Sequence, residues 1–174
     1  MILDSKNLSQ SIQRSVDIII KCLNNKGKII TMGNGGSAAD SQHFAAELIG
    51  RFKHERKSLP AISLTTDTSV ITALSNDYSV DVIFSRQCES LVDKKDVVIA
   101  FSTSGQSKNV INAVKISKKK GAKIISFIGN NTMPLSKYSD VILNVPSKST
   151  PHIQEVHRIL MHIICELVEE EFIK

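Results

Sequence analysis

Ser102, Thr103, Ser104 and Ser107 gather four hydroxyls around Gly105, directly after the apolar run Val97-Val98-Ile99-Ala100-Phe101. A helical pattern follows, with Val110, Ile111, Val114 and Ile116 on one side. The order predicts a strand, a tight loop and a helix N-terminus. Such a loop aims hydroxyls and backbone N–H groups at one point, where the helix dipole also favours negative charge. Its natural occupant is a phosphate. The loop has no Walker lysine before its hydroxyls and lacks the glycine spacing of a dinucleotide fingerprint. A phosphorylated small molecule therefore fits better than ATP or NAD.

His43 and Glu47 lie four residues apart on the helix predicted after Gly33-Asn34-Gly35-Gly36-Ser37, so both occupy one face, one turn apart. Taken alone, they read as an exposed His–Glu pair or as half of a metal site. A long C-terminal pattern offers further candidates in Gln154, His157, Arg158 and His162. His162 falls beside the Ile159 and Ile163 stripe and reads either as a satisfied core histidine, which its neighbours favour, or as a ligand. Gln154 and His162 are separated by about 12 Å of rise and about 80° of rotation on an ideal helix. Sharing one ion would need Gln154 to reach forward and His162 backward.

These residues need a scaffold, and the apolar pattern supplies one. Leu8, Ile12, Val16, Ile19, Ile20 and Leu23 recur at helical spacing, predicting an amphipathic helix over Asp4 to Asn25. Short strands are predicted at Lys28 to Met32, Ala61 to Leu64, Val97 to Phe101, Lys123 to Ile128 and Val141 to Val145. Helices are predicted from Ser37, as the capping residue, to about Arg51, and from Gly105 to Lys120. Val70 to Leu91 reads as helical pieces broken near Asn76-Asp77, and Arg51 to Lys57 as a basic surface loop. A final helix runs from Thr150 to about residue 173. Alternating helices and nearly continuous apolar strands imply parallel βαβ units with both sheet faces covered. The pattern strand, loop, Gly-x-Ser, helix occurs twice, over Ile30 to Ser37 and Ala100 to Ser107. Two such loops at the carboxyl ends of strands form the ligand crevice of an open α/β sheet.

Composition bounds the rest. The 174 residues suffice for a single domain over residues 1–174, with no linker. The net charge of +5 is dispersed and only 5% of residues are aromatic, which leaves few stacking platforms for nucleic acid. A mild positive field also suits an anionic substrate. No apolar run reaches the roughly 18 residues of a membrane span. Cys22, Cys88 and Cys165 stand singly, without a CxxC pair, and read as free reduced thiols. With no apolar signal region at the N-terminus, the expectation is a cytoplasmic protein.

Together the segments Gly33-Asn34-Gly35-Gly36-Ser37, His43-Phe44-Ala45-Ala46-Glu47-Leu48, Gly50-Arg51, Ser75-Asn76-Asp77-Tyr78, Ile83-Phe84-Ser85-Arg86, Ser102 to Ser107 and Ile153-Gln154-Glu155-Val156-His157, with His162, resemble the sugar isomerase (SIS) domain family, and within it the phosphoheptose isomerases. The resemblance runs from about Gly27 to the end of the final helix. It implies a flavodoxin- or Rossmann-like three-layer sandwich, a five-stranded parallel sheet flanked by helices, assembled as a homotetramer. It implies conversion of D-sedoheptulose 7-phosphate into D-glycero-D-manno-heptose 7-phosphate for bacterial heptose synthesis, in lipopolysaccharide or capsule. It further implies one zinc ion held by His43, Glu47, Gln154 and His162, with Glu47 and His162 as the catalytic pair. By the same resemblance Ser102, Thr103, Ser104 and Ser107 hold the phosphate, and Asn34, Ser37, Asp77 and Gln154 contact the sugar. The chain departs from the pattern at His152, where Arg or Lys is expected, and its N-terminus is shorter than in several relatives. Two other readings compete: a non-catalytic SIS protein that binds a protein partner, and a metal-free isomerase or sensor of another phosphosugar. The four metal-capable groups favour the isomerase over the binding module.

Overall fold

The computed structural model describes residues 6–129 and 134–173. Helix α1 (Lys6–Asn24) is followed by strand β1 (Ile29–Met32), α2 (Gly36–Ile49) and β2 (Ala61–Ser63). Then come α3 (Thr68–Asp77), a 3₁₀ turn (Val80–Val82), α4 (Ile83–Leu91), β3 (Val97–Ser102) and α5 (Lys108–Lys119). The chain ends with β4 (Lys123–Ile128), β5 (Val141–Asn144) and α6 (Thr150–Phe172). The predicted start of α1 at Asp4 lies outside the described residues.

All five strands are parallel, in the order β2-β1-β3-β4-β5. Every residue of β1 and β3 is buried, as a sheet covered on both faces demands. Period-two alternation divides β3 between two cores. Val97, Ile99 and Phe101 join the residues of α1, α2 and α6, whereas Val98 and Ala100 pack with those of α4 and α5. The result is three layers. Between β1 and β3 the connections diverge, since β1 leads outward to β2 and β3 leads the other way to β4. That is the topological switch point, where an open sheet leaves a crevice at its carboxyl edge.

Two predicted helix starts are corrected. Ser37 does not cap α2: the helix begins at Gly36 with Gly35 in the cap position, no side chain caps it, and Ser37 is buried in the first turn. Helix α5 begins at Lys108 rather than Gly105. Gly105 has φ +65° and its N–H donates to the Ser102 carbonyl (3.1 Å), so the chain spends three residues in a turn that a residue with a β-carbon would strain. Helix α2 also stops earlier, at Ile49, where Gly50 forms its end.

Two side-chain groups fix the layer that carries the site. Thr31 on β1 donates its hydroxyl to the Ser41 carbonyl of α2 (2.7 Å), and the Ser41 and Ser63 hydroxyls meet at 2.9 Å, tying α2 across β1 and β2. His157 of α6 is fully buried, edge-on to Phe127 and tilted against Phe101. Burial drives its pKa down from 6.5 to about 4, against one hydrogen-bond contact with the Ile128 carbonyl (3.3 Å). The unfolded chain thus takes up this proton first as pH falls. The stability His157 contributes is complete above pH 6.5 and lost between there and about pH 4, a total of roughly 3 kcal/mol. Urea unfolding at pH 7, 6 and 5 should show this loss in the wild type and a shallower slope in His157→Asn. Equal slopes would mean that the buried imidazole is not the group responsible.

The three cysteines are free and buried, and burial pushes the Cys22 and Cys88 thiols up to about 11. Protonated thiols of this kind pack as small apolar groups and are poor nucleophiles. Among the described residues no helix is long and apolar enough to cross a membrane.

Candidate active site

Four hydroxyls ring the loop between β3 and α5. Ser102 ends the strand, and its Oγ lies 3.2 Å from that of Ser107, the residue in the cap position of α5. Ser107 makes no capping bond, so its hydroxyl is available to a ligand. The Ser104 hydroxyl accepts the Gln106 N–H (3.1 Å), and the Thr103 carbonyl accepts the Gly129 N–H (3.0 Å), which draws the loop toward the end of β4. The cradle is therefore held by its own backbone and opens at a helix N-terminus, an arrangement suited to a phosphate.

The second loop lies next to it because β1 and β3 are neighbours. Asn34 and Asn109 exchange two hydrogen bonds, each amide nitrogen donating to the other's oxygen at 2.9 Å. Asn109 is buried and also accepts the Val110 N–H (2.9 Å). This amide pair couples the glycine-rich loop to the first turn of α5. Asn109 is a site residue that the sequence reading missed. Its one signal was a polar residue on the apolar side of α5, beside Val110.

On α2, His43 and Glu47 face the middle of α6, where His162 lies. His43 Nε2 lies 2.8 Å from Glu47 Oε1 and 3.4 Å from His162 Nε2. The three groups are partly buried, and their ligand atoms all lie within 4.8 Å of one another. His162 thus lies beside His43 and Glu47 rather than in the core position its apolar neighbours suggested; His157 takes that position. Burial first, and then the neighbouring His43, hold the His162 pKa below its ordinary value against the pull of Glu47. At neutral pH its imidazole is uncharged, the state that can bind a cation. Two imidazole nitrogens facing each other beside a carboxylate oxygen can turn three lone pairs toward one divalent ion. The donor set fits a metal such as zinc.

Gln154 enters from the first turn of α6, with its amide over Gly36. A β-carbon at Gly36 would come within 2.5 Å of Gln154 Nε2, so a side chain there would push the Gln154 amide aside. Two neighbours of the cluster, Phe52 and Asp40, went unread in the sequence. The Phe52 ring lies 5.4 Å from that of His162, tilted by 32°. Arg158 Nε stands 3.4 Å from Asp40 Oδ1, and burial raises the Asp40 pKa against Arg158 and His43. Asp77 is exposed at the end of α3, and its carboxylate accepts from Asn76 (2.9 Å). His152 is exposed on the first turn of α6.

A cavity of about 740 Å³ lies elsewhere, at the amino ends of β3, β4 and β5. Its carboxylates are engaged, Asp96 with Lys28 (2.6 Å) and Asp140 with Lys118 (2.7 Å) and Lys123 (3.1 Å). The chemistry-bearing groups sit at the carboxyl edge, as the strand order requires.

The chain belongs to the SIS domain family, whose pattern matches residues 4–129. Within that family it groups with the phosphoheptose isomerases. It is 50% identical over 167 residues to the phosphoheptose isomerase of Helicobacter pylori (strain P12), covering 96% of this chain and 87% of the relative. It is 51% identical over 160 residues to that of Syntrophotalea carbinolica, covering 92% and 82%. The structure of phosphoheptose isomerase GmhA from Neisseria gonorrhoeae superposes with a TM-score of 0.89 at 42% identity, covering 95% of this chain and 88% of that one.

Proposed function

We propose that this chain is an aldose–ketose isomerase that converts D-sedoheptulose 7-phosphate into D-glycero-D-manno-heptose 7-phosphate, the first step of bacterial heptose synthesis for lipopolysaccharide or capsule. One observation carries the reading. The His43–Glu47–His162 cluster draws on α2, the helix that leads out of the glycine-rich loop, and the Asn34–Asn109 pair ties that loop to α5, the helix that the hydroxyl loop opens. The relatives named above are phosphoheptose isomerases, which supports the substrate.

Ser102, Thr103, Ser104 and Ser107, with the first turn of α5, hold the phosphate. Asn34, Ser37 and Gln154 orient the sugar, and Asp77 is assigned to it on the family resemblance alone. The Glu47 carboxylate takes a proton from C1 of the ketose, and the electron pair forms the C1–C2 double bond while O2 takes a proton from His162. In the second half O1 gives its proton back to His162, the aldehyde forms at C1, and Glu47 returns its proton to C2. A zinc ion held by His43, Glu47, Gln154 and His162 would polarise the carbonyl and stabilise the charge that develops on its oxygen.

We further propose a single-domain, cytoplasmic protein that works as a homotetramer. Buried free thiols fit a reducing compartment. Helix α3 has no buried residue, and Tyr78 (63%) and Val80 (58%) beside it are exposed, an apolar surface that another subunit would cover.

The test is turnover of D-sedoheptulose 7-phosphate by the purified protein, with the aldose product measured directly. Absence of turnover from folded protein would overturn the reading. In the same assay Ser104→Ala combined with Ser107→Ala should raise KM by about tenfold or more, since hydrogen bonds to a charged phosphate contribute roughly 1.5–3 kcal/mol each. An unchanged KM would place the phosphate elsewhere.

A further inference from the structure

A buried acid and base at the far end of α6 hold the supports of both proposed catalytic residues. Glu169 is 1% exposed. Its Oε1 accepts the Phe52 N–H (2.8 Å), and its Oε2 accepts the N–H groups of Lys53 (2.7 Å) and His54 (2.9 Å). Three successive N–H groups thus enclose one carboxylate as a backbone nest encloses an anion. Burial pushes the Glu169 pKa up, but these three bonds and the nearby Arg56 outweigh it and hold the acid below its ordinary range. Arg56, itself buried, places Nε 3.2 Å from Glu169 Oε1 in a coulombic contact. Its remaining nitrogens donate to the carbonyls of Glu47 (2.7 Å), Leu48 (2.8 Å), Gly50 (3.0 Å) and Lys57 (3.1 Å).

The consequences converge on the site. The Glu47 carbonyl that Arg56 binds belongs to the residue whose carboxylate faces His43. The nest fixes the backbone of Phe52, whose ring lies against His162. The basic run Arg51 to Lys57, which reads from sequence as a solvated loop, therefore contains a buried arginine and an aromatic support. We infer that Glu169 is a positioning residue: through Arg56 and the Phe52–His54 backbone it sets the end of α2 and the Phe52 ring, and so holds Glu47 and His162 in the relation that the metal and the reaction need. The inference rests on the proposed function.

A carboxylate can accept from both sides. An amide at that position must turn its NH₂ group either toward the Lys53 and His54 N–H groups or toward Phe52 N–H and Arg56, so Glu169→Gln releases the nest. Supporting residues behind metal ligands typically change affinity or activity by about 10- to 100-fold. Glu169→Gln should therefore lower kcat by about tenfold or more, leave KM within about threefold, and weaken zinc binding by about tenfold or more. Zinc affinity is measured by competition with a chromophoric chelator, and a cooperative melt shows that the variant is folded. If Glu169→Gln does not fold, Phe52 decides. Phe52→Leu should show the same losses, and Phe52→Tyr, which keeps the ring, should restore wild-type values.

Wild-type kcat and zinc affinity in a folded Glu169→Gln variant, or in Phe52→Leu where that variant fails, would overturn the positioning role while leaving the functional reading intact. A wild-type protein that neither binds zinc nor turns over would overturn the functional reading and this inference with it.

Discussion

Glu47→Gln should abolish isomerisation, lowering kcat by about a thousandfold or more while KM changes little; general-base catalysis alone contributes about 10²–10⁴-fold. The substitution preserves shape and leaves the phosphate loop untouched, because Glu47 lies on α2 and the four hydroxyls lie at the end of β3 and in the loop after it. What it removes is the carboxylate that takes a proton from C1 and returns it to C2, so the loss should fall on the chemical step. Glutamine at this position is also a weaker metal ligand. The zinc content of the variant must therefore be measured beside its rate, since a carboxylate that binds an ion is itself a poorer base. Loss of turnover with zinc retained assigns the base to Glu47. Wild-type activity in the variant would remove Glu47 from the mechanism.

Chelation of the wild-type protein should reduce turnover by about a hundredfold or more, and added zinc should restore it. Charge stabilisation at a developing oxyanion contributes several kcal/mol, which sets that scale. The geometric basis is the 3.4 Å approach of His162 Nε2 to His43 Nε2 beside Glu47 Oε1, an arrangement that lets all three lone pairs face one cation. Binding should weaken below neutral pH, because a proton competes with the metal for each imidazole. The low pKa of His162 reduces that competition at pH 7. Full activity in the chelated protein would place this chain with isomerases that work without a metal and leave the cluster a structural hydrogen-bonded group.

Most of the scaffold was legible because it depends on local pattern. Strands buried on both faces read as unbroken apolar runs, and β4 matches its predicted bounds, Lys123 to Ile128. The break after Asp77 and the start of α6 at Thr150, with Pro151 in its first turn, also fall where the pattern predicts them. Boundaries shifted at two glycine-bearing starts: α2 begins early, at Gly36, and α5 begins late, after the turn at Gly105. Periodicity does not report a backbone that leaves the helical region for two or three residues.

The site divides along the same line. Residue types and spacing alone determined a hydroxyl loop at a helix N-terminus, a His–Glu pair on one helix face and the parallel sheet that carries them. The pattern could not say which histidine of α6 faces the crevice. His157 and His162 both border apolar residues, and only the rotation of α6 against α2 makes the first a core residue and the second a neighbour of His43. The tertiary structure likewise decided the Asn34–Asn109 exchange and the Glu169–Arg56 contact, which join residues 75 and 113 positions apart. Local sequence encodes propensity and one-face periodicity, which act over a turn or a strand. Contacts between distant segments depend on how the layers close, and only the packed chain sets that.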